Sequence, residues 1–190
     1  MSQPQVSIII VNYNGCGVIV DCLTSIYGHL STSAIEVIVV DNDSQDGSPE
    51  LIAQKFPQVN LLRQSKNGGF GTANNVGARQ AQGEYLLLLN SDTLVTGNIL
   101  PTLLAQLTSD AQIGIVGPRL LNPDGSFQFS IAHEISLWGE WRTLRQVKKY
   151  RIPANRPALA TQYDHDQVVD IVVGAAMLMR RSLFEQVGGF

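Results

Sequence analysis

The sequence predicts an α/β protein built on a mostly parallel central sheet. Short β-rich runs that are apolar at nearly every position alternate with stretches whose apolar residues recur at helical spacing. Polar residues gather directly after each apolar run. At 190 residues, 44% hydrophobic and 15% charged, the composition is that of one folded domain and not of a disordered tail.

Each element can be justified in order. Val6 to Val11 reads as a strand buried on both faces, and it ends in Asn12, Tyr13, Asn14 and Gly15. Ile19, Cys22, Leu23, Ile26 and Leu30 form one apolar stripe of a helix. A second buried strand, Ile35 to Val40, stops at Asp41. Ser48 is the expected N-cap of the next helix, with Pro49 in its first turn and Glu50 favourable to its dipole. Val59 to Leu62 is the third strand, Thr72 to Ala81 the third helix with Ala73, Val76, Gly77 and Ala81 on one side, and Tyr85 to Leu89 the fourth strand.

Strands and helices alternating at this pace give parallel pairing with right-handed crossovers, and ligands then bind beyond the carboxyl ends of the strands. Tyr13 and Asn14, Asp41 to Ser44, Lys66 to Gly71 and Asn90 to Asp92 should therefore converge on one rim. Beyond them Leu103, Leu104 and Leu107 mark a helix, Ile113 to Val116 a strand, and Asn122 to Gly125 a tight hairpin turn. The alternation then lapses. Glu134 to Arg156 is aromatic and basic, and from Val168 the chain returns to a buried strand, followed by Gly174 and an apolar run ending at Arg180 and Arg181.

A net charge of -3 offers no global field for a nucleic-acid partner. Cys16 and Cys22, six apart in what reads as one helical stretch, form no thiol framework, which fits a reduced, cytoplasmic protein. Met1 to Gln5 lacks the pattern of a signal peptide, and the longest apolar run, Ile171 to Met179, is too short to span a bilayer. The sequon Asn42-Asp43-Ser44 reads as chance in a cytoplasmic chain.

Asn67 to Asn74 is a poor dinucleotide fingerprint, because Asn74 stands where a third glycine belongs and the segment follows the third strand. Its glycines and the following helix start suit a phosphate or sugar, and they equally suit an ordinary strand-to-helix loop. Asp92 follows four leucines, Leu86 to Leu89, where a carboxylate could share a divalent ion with a diphosphate; a capped turn at Asn90 and Ser91 is the alternative. Asp41 to Asp43 and Asp164 to Asp166 are competing acidic triplets, the second in a polar stretch that reads as solvated loop. His29 and His133 lack partners at ligand spacing.

Taken as an ordered series, these segments resemble family 2 glycosyltransferases of the GT-A fold, in particular the branch that includes bacterial rhamnosyltransferases. The resemblance runs from Val6 to Phe190. It rests on Val11-Asn12-Tyr13-Asn14-Gly15, Val40-Asp41-Asn42-Asp43-Ser44 with Asp46-Gly47-Ser48, Asn67-Gly68-Gly69-Phe70-Gly71 with Ala73-Asn74-Asn75 and Gly77, Leu89-Asn90-Ser91-Asp92, Asn122-Pro123-Asp124-Gly125, and Gly174-Ala175-Ala176 before Arg180-Arg181.

The resemblance implies that Tyr13, Asn14 and Asp41 hold the nucleoside, with Asp41 on the base and Asp43 and Ser44 close by. It implies that Asn67, Gly71 and Asn75 line the nucleotide pocket and that Asp92 is the metal-binding acid, for Mg²⁺ or Mn²⁺. Asn90 replaces the first acid of the family motif, which weakens the ribose contact given to that residue; Asn90 and Ser91 are still expected among the nucleotide-binding residues. The expected donor is a UDP- or dTDP-linked sugar, with dTDP-rhamnose suggested by the branch, and the expected acceptor is a glycan or a lipid-linked sugar. The family's general base is an Asp after the Gly-Gly-Phe element, so it is expected beyond Phe190, in a domain incomplete at its end. Residues 1–95 would be its nucleotide-binding half and 96–190 the start of its acceptor-side half.

Two other functions fit the same residues: a nucleotide-sugar-binding module without turnover, and a sugar-phosphate nucleotidyltransferase. A separate feature is the stretch from Arg142 to Arg156, with six cations and no acid. On a helix Leu137, Trp138, Trp141 and Leu144 share a side near most of these charges, as in a helix lying on a membrane surface. The alternative is an acceptor-side flap that packs its tryptophans on a core.

Overall fold

The computed structural model describes residues 3–31 and 34–190, with the side chain of Leu137 outside that description. The chain forms two compact units, Met1–Val116 with Gly174–Phe190, and Gly117–Val173.

In the first unit β1 (Val6–Asn12), α1 (Ile19–His29), β2 (Ile35–Asp41), α2 (Ser48–Lys55), β3 (Asn60–Arg63), α3 (Gly69–Gln80), β4 (Tyr85–Asn90) and α4 (Leu100–Ser109) follow one another as the hydrophobic pattern requires. β5 (Ile115–Val116) closes this run, and β10 (Ala176–Arg180) and α7 (Arg181–Gln186) return to it after the second unit. The sheet has the order β3-β2-β1-β4-β10-β5. β1 to β4 pair in parallel, whereas β10 runs antiparallel to both β4 and β5. The apolar residues of β1, β2 and β4 are buried at successive positions, so both faces of the sheet are covered. Both edge strands are short, which limits the open backbone they present.

Several expectations are corrected. Ser48 is not the N-cap of α2: Gly47 takes that position, with φ 79, and the Ser48 hydroxyl is used below the strand ends instead. The carboxylate of Asp46 accepts the Ser48 N–H at 3.0 Å and so does the work of a cap from one residue further out. α3 begins at Gly69, three residues before Thr72, and Val76 is only half-buried. Cys16 and Cys22 do not share a helix, since Cys16 precedes α1 and is exposed while Cys22 lies within α1 and is buried. Ile113 and Gly114 stay outside β5.

The second unit holds β6 (Leu120–Leu121), β7 (Phe127–Gln128), β8 (Ile131–Ala132), α5 (Leu137–Arg151), α6 (Arg156–Gln162) and β9 (Ile171–Val172). β6 and β7 form the expected hairpin, closed by the Gly125 N–H on the Asn122 carbonyl at 2.8 Å, with Gly125 at φ 77. Its small core is Phe127, Leu159 and Tyr163, with the Phe127 and Tyr163 rings stacked at 5.7 Å. The expected return to a buried strand at Val168 is wrong: Val168 is fully exposed, and pairing starts only at Ile171. Two short β9 residues pairing with β8 bury too little to draw Val168 inward.

Candidate functional site

The parallel register sets the rim. Asn12 at the end of β1 stands opposite Asp41 at the end of β2, and Val11 opposite Asn90 at the end of β4. Four segments expected to converge therefore leave the same edge of the sheet.

The floor of this edge is a buried polar network centred on Asn12. Its Nδ2 lies 2.8 Å from Asp41 Oδ1, 2.8 Å from Ser48 Oγ and 3.2 Å from Ser44 Oγ. Its Oδ1 is buried without a partner among the described residues. A Cβ on Gly15 would clash with that oxygen, so glycine lets the chain turn over it. Asp41 is 3% exposed, and its second oxygen accepts the Ser44 N–H at 3.2 Å.

Above this floor the two loops are laced together. The Asn14 N–H donates to Ser44 Oγ at 2.9 Å, Asn14 Oδ1 accepts the Gln45 N–H at 2.9 Å, and the Cys16 N–H donates to Asp46 Oδ2 at 2.7 Å. Asn14 and Asp43 are the non-glycine residues with positive φ among the described residues, 50 and 70, a strain that concentrates at functional edges. Partial desolvation works to raise the Asp46 carboxyl, but hydrogen bonds from Ser48 and Cys16 outweigh it and hold Asp46 below its usual range. Tyr13 is 53% exposed.

Next to β3, Asn42 holds the loop that leads into α3. Its Nδ2 donates to Asn67 Oδ1 at 2.8 Å, its Oδ1 accepts the Gly68 N–H at 3.0 Å, and the Gly69 N–H donates to Asn67 Oδ1 at 2.9 Å. Both glycine N–H groups are thus committed within the protein. The side chain of Asn42 is also buried and engaged, which is consistent with reading its sequon as chance.

Both ends of the Asn75 amide engage the backbone of Phe190. Its Nδ2 donates to the Phe190 carbonyl at 2.9 Å and its Oδ1 accepts the Phe190 N–H at 3.0 Å. A Cβ on Gly71 would come within 2.9 Å of the Phe190 Cβ, so Gly71 and Asn75 together seat that residue.

On the other side of β1, the Asn90 N–H donates to the Ala175 carbonyl at 2.9 Å, and the Asn90 carbonyl accepts from Thr93 N–H at 3.2 Å. Ser91 is half-buried. Asp92 is exposed, and no hydrogen bond or ion pair engages its carboxylate among the described residues. Below it Cys22 lies with Sγ 3.7 Å from the Asn90 carbonyl; burial, with the charge of Asp92, pushes its thiol up to about 12.

No three His, Cys, Asp or Glu side chains gather as a metal cage among the described residues. One free carboxylate at a strand end does fit Mg²⁺ or Mn²⁺ shared with phosphate oxygens, because Mg²⁺ is commonly held by one or two carboxylates plus a phosphate ligand. Asp164 and Asp166 lie exposed after α6, and Asp164 sits 3.5 Å from the His165 ring nitrogen. His29 is exposed, and His133 lies 3.4 Å from Asp170 in the second unit. Sequence reasoning named Asn12, Asn42, Asp46 and Ser48 in motifs or at an element boundary but gave none of them an individual role in the site. Their signal was position, since each is a small polar residue next to a strand end or helix start.

Fold and rim define a GT-A type α/β domain. The family model Glycosyl transferase family 2 matches residues 7–188, and the chain belongs to that family. A relative from Mycobacterium tuberculosis, N-acetylglucosaminyl-diphospho-decaprenol L-rhamnosyltransferase, is 29% identical over 181 residues, covering 82% of this chain and 55% of that protein. Glycosyltransferase GlyG of Streptococcus pneumoniae is 30% identical over 131 residues, covering 66% of this chain and 43% of its own length. The chain spans about half the length of these relatives.

Among solved structures, the mannosyltransferase PcManGT from Pyrobaculum calidifontis, in complex with GDP-Man and Mn²⁺, matches with TM-score 0.64 at 22% identity over 100% of this chain and 48% of that one. S. aureus TarS 1-349 in complex with UDP matches with TM-score 0.66 at 19% identity, over 97% of this chain and 49% of that one. These likenesses establish the fold. No helix of the described residues is long and apolar enough to cross a membrane.

Proposed function

We propose that the protein transfers a sugar, with inversion at the anomeric carbon, from a nucleoside-diphosphate sugar to a hydroxyl of a glycan or lipid-linked acceptor. The observation that carries this reading is the open Asp92 carboxylate, two residues past buried β4 and on the same sheet edge as the Asn12–Asp41 floor. Residues 1–95 form the nucleotide-binding half in this reading, and the acceptor side starts at 96. A UDP- or dTDP-sugar is the donor class. Rhamnose and a lipid-linked acceptor are favoured by the name of the Mycobacterium relative.

The chain's own groups divide the work. The half-exposed Tyr13 ring offers an aromatic face to the base. Asn12, with Ser44 and Ser48, fixes Asp41 from below, so the base meets an edge that needs no rearrangement. Asn14, Asp43 and Ser44 shape the β2–α2 loop beside it, while Asn67 shapes the entry to α3. Asp92, with Asn90 and Ser91 setting its turn, is the ligand offered to a divalent cation. Bound there with the diphosphate, Mg²⁺ or Mn²⁺ supplies charge neutralisation for the leaving group. The attacking hydroxyl gives its proton to a base. Asp41 and Asp46 are committed to hydrogen bonds within the rim, so neither is assigned that role.

Calorimetry with UDP-, dTDP- and GDP-sugars and with nucleoside triphosphates, each with and without Mn²⁺, tests the donor class. The reading expects metal-dependent binding of UDP- or dTDP-sugars; a preference for triphosphate together with sugar phosphate refutes it. The anomeric configuration of the product, read by NMR, tests inversion, and a retained configuration overturns that part.

A further inference from the structure

We propose that α5 is a membrane-surface element that seats the second unit on an anionic lipid bilayer. Gly139 is buried and Thr143, Gln146, Val147 and Tyr150 are half-buried, so this side of the helix faces its own unit. The opposite side is apolar where a soluble helix is usually polar. Trp138 is 73% exposed, Trp141 51% and Leu144 54%, and the two indoles meet edge to face at 6.0 Å. The tryptophans therefore do not pack into the core of their unit, as the flap alternative required.

Cations are interleaved with these residues. At 100° per residue, Trp138, Trp141, Leu144, Arg145 and Lys148 fall within an arc of roughly 120°. The Arg145 guanidinium lies 5.4 Å from the centre of the Trp141 ring. Arg142, Lys149 and Arg151 are exposed beside this arc, and Glu140 is the one acid of the helix.

That combination selects the partner. Amphipathic indoles at the depth of lipid headgroups, flanked by Lys and Arg, match an interface whose apolar layer lies just beneath negative charge. The cations are local to this helix, since the chain as a whole carries a net charge of -3. The inference rests on α5 alone and is independent of the donor, the metal and the acceptor proposed above.

The chain has two tryptophans, and both lie on this face, so its intrinsic tryptophan emission reports the helix without a label. The test mixes the protein at low salt with vesicles of phosphatidylglycerol and phosphatidylcholine, or of phosphatidylcholine alone, and reads sedimentation and emission. Retention by the anionic vesicles, a blue shift of the emission, and loss of both in high salt are expected. Arg145→Glu with Lys148→Glu should lower retention about tenfold or more, since each lost cation near an anionic surface weakens binding several-fold. Trp138→Ala with Trp141→Ala should lower it similarly at unchanged charge. All four positions are solvent-facing, and circular dichroism of each variant checks that the fold is kept. No retention by anionic vesicles at low salt overturns the proposal, as does retention that neither pair of substitutions changes. Tighter binding to a single-stranded oligonucleotide than to the vesicles, with the same emission change, also overturns it and assigns the face to nucleic acid.

Discussion

Asn12→Ala should cost the first unit about 2 kcal/mol, although the side chain removed is small and polar. Asn12 is fully buried and donates to a carboxylate oxygen of Asp41 and to the hydroxyl of Ser48, both at 2.8 Å. A hydrogen bond to a charged group contributes about 1.5–3 kcal/mol and one to a neutral group about 0.5–1.5 kcal/mol. Truncation also removes the orphaned Asn12 Oδ1, which returns about 1 kcal/mol. The balance is a loss of about 1–3.5 kcal/mol, or roughly 2–14 °C in Tm for a chain of this size. Thermal melts should be followed by far-UV circular dichroism, because both tryptophans lie in the second unit and would not report the first. Asn12→Asp should be worse than alanine, since it sets a second carboxylate directly against Asp41. A Tm for Asn12→Ala within about 1 °C of wild type, or a fully stable Asn12→Asp at neutral pH, would refute the idea that this network holds the rim.

Three more outcomes follow from the same geometry. Gly77→Ala should destabilise by about 1–2 kcal/mol despite the better helix propensity of alanine, because the new Cβ would lie 2.5 Å from Ile9 Cγ2 and 3.2 Å from Val40 Cγ2; a stabilised variant in urea titration would contradict this. In native protein at pH near 8, iodoacetamide should modify exposed Cys16 and spare Cys22, whose thiolate fraction at a pKa of about 12 is roughly one in ten thousand, and rapid loss of both thiols would count against that burial. Asp46 has a lowered folded pKa, so its contribution to stability is present above the ordinary value of 3.8 and is lost as pH falls through the lower folded value. Wild type should therefore lose more Tm than Asp46→Asn on acidification from about pH 5 to about pH 3, and parallel losses would show that Asp46 contributes nothing of this kind.

The sheet was legible because burial on both faces writes itself as unbroken apolar runs, and β1, β2 and β4 lie within a residue of where those runs end. The rim was legible by the same route, since residues just past such strands must emerge together. What the sequence did not reveal is which rim residues are spent on the protein. Asn12 and Asp46 look like ordinary turn residues and turn out to be the centres of the network. Asn75 shows the same limit, because both ends of its amide hold the backbone of Phe190 across 115 residues of sequence, a contact that no local pattern announces. Ser48 has the chemistry of an N-cap, but the buried Asn12 amide competes for its hydroxyl and Asp46 takes over the helix start. Arg180 shows the same limit, because its guanidinium satisfies the carbonyls of Leu107 and Ile113 at 2.8 Å, a role no local pattern announces.

The central claim is that Asp92 presents the metal ligand for a nucleoside diphosphate. Calorimetry of UDP and dTDP binding, with and without Mn²⁺, should compare wild type with Asp92→Asn, Asp164→Asn and Asp166→Asn. Asp92 follows a buried strand and has no competing partner among the described residues, whereas Asp164 and Asp166 lie exposed after α6. Removing one of the few protein ligands of such a site should lower metal-dependent affinity at least tenfold, about 1.4 kcal/mol, and leave binding without metal nearly unchanged. The Asp164 and Asp166 variants should bind as wild type does. Equal metal-dependent affinity in wild type and Asp92→Asn would contradict the account and move the metal to another carboxylate of the rim, with Asp43 the first to examine.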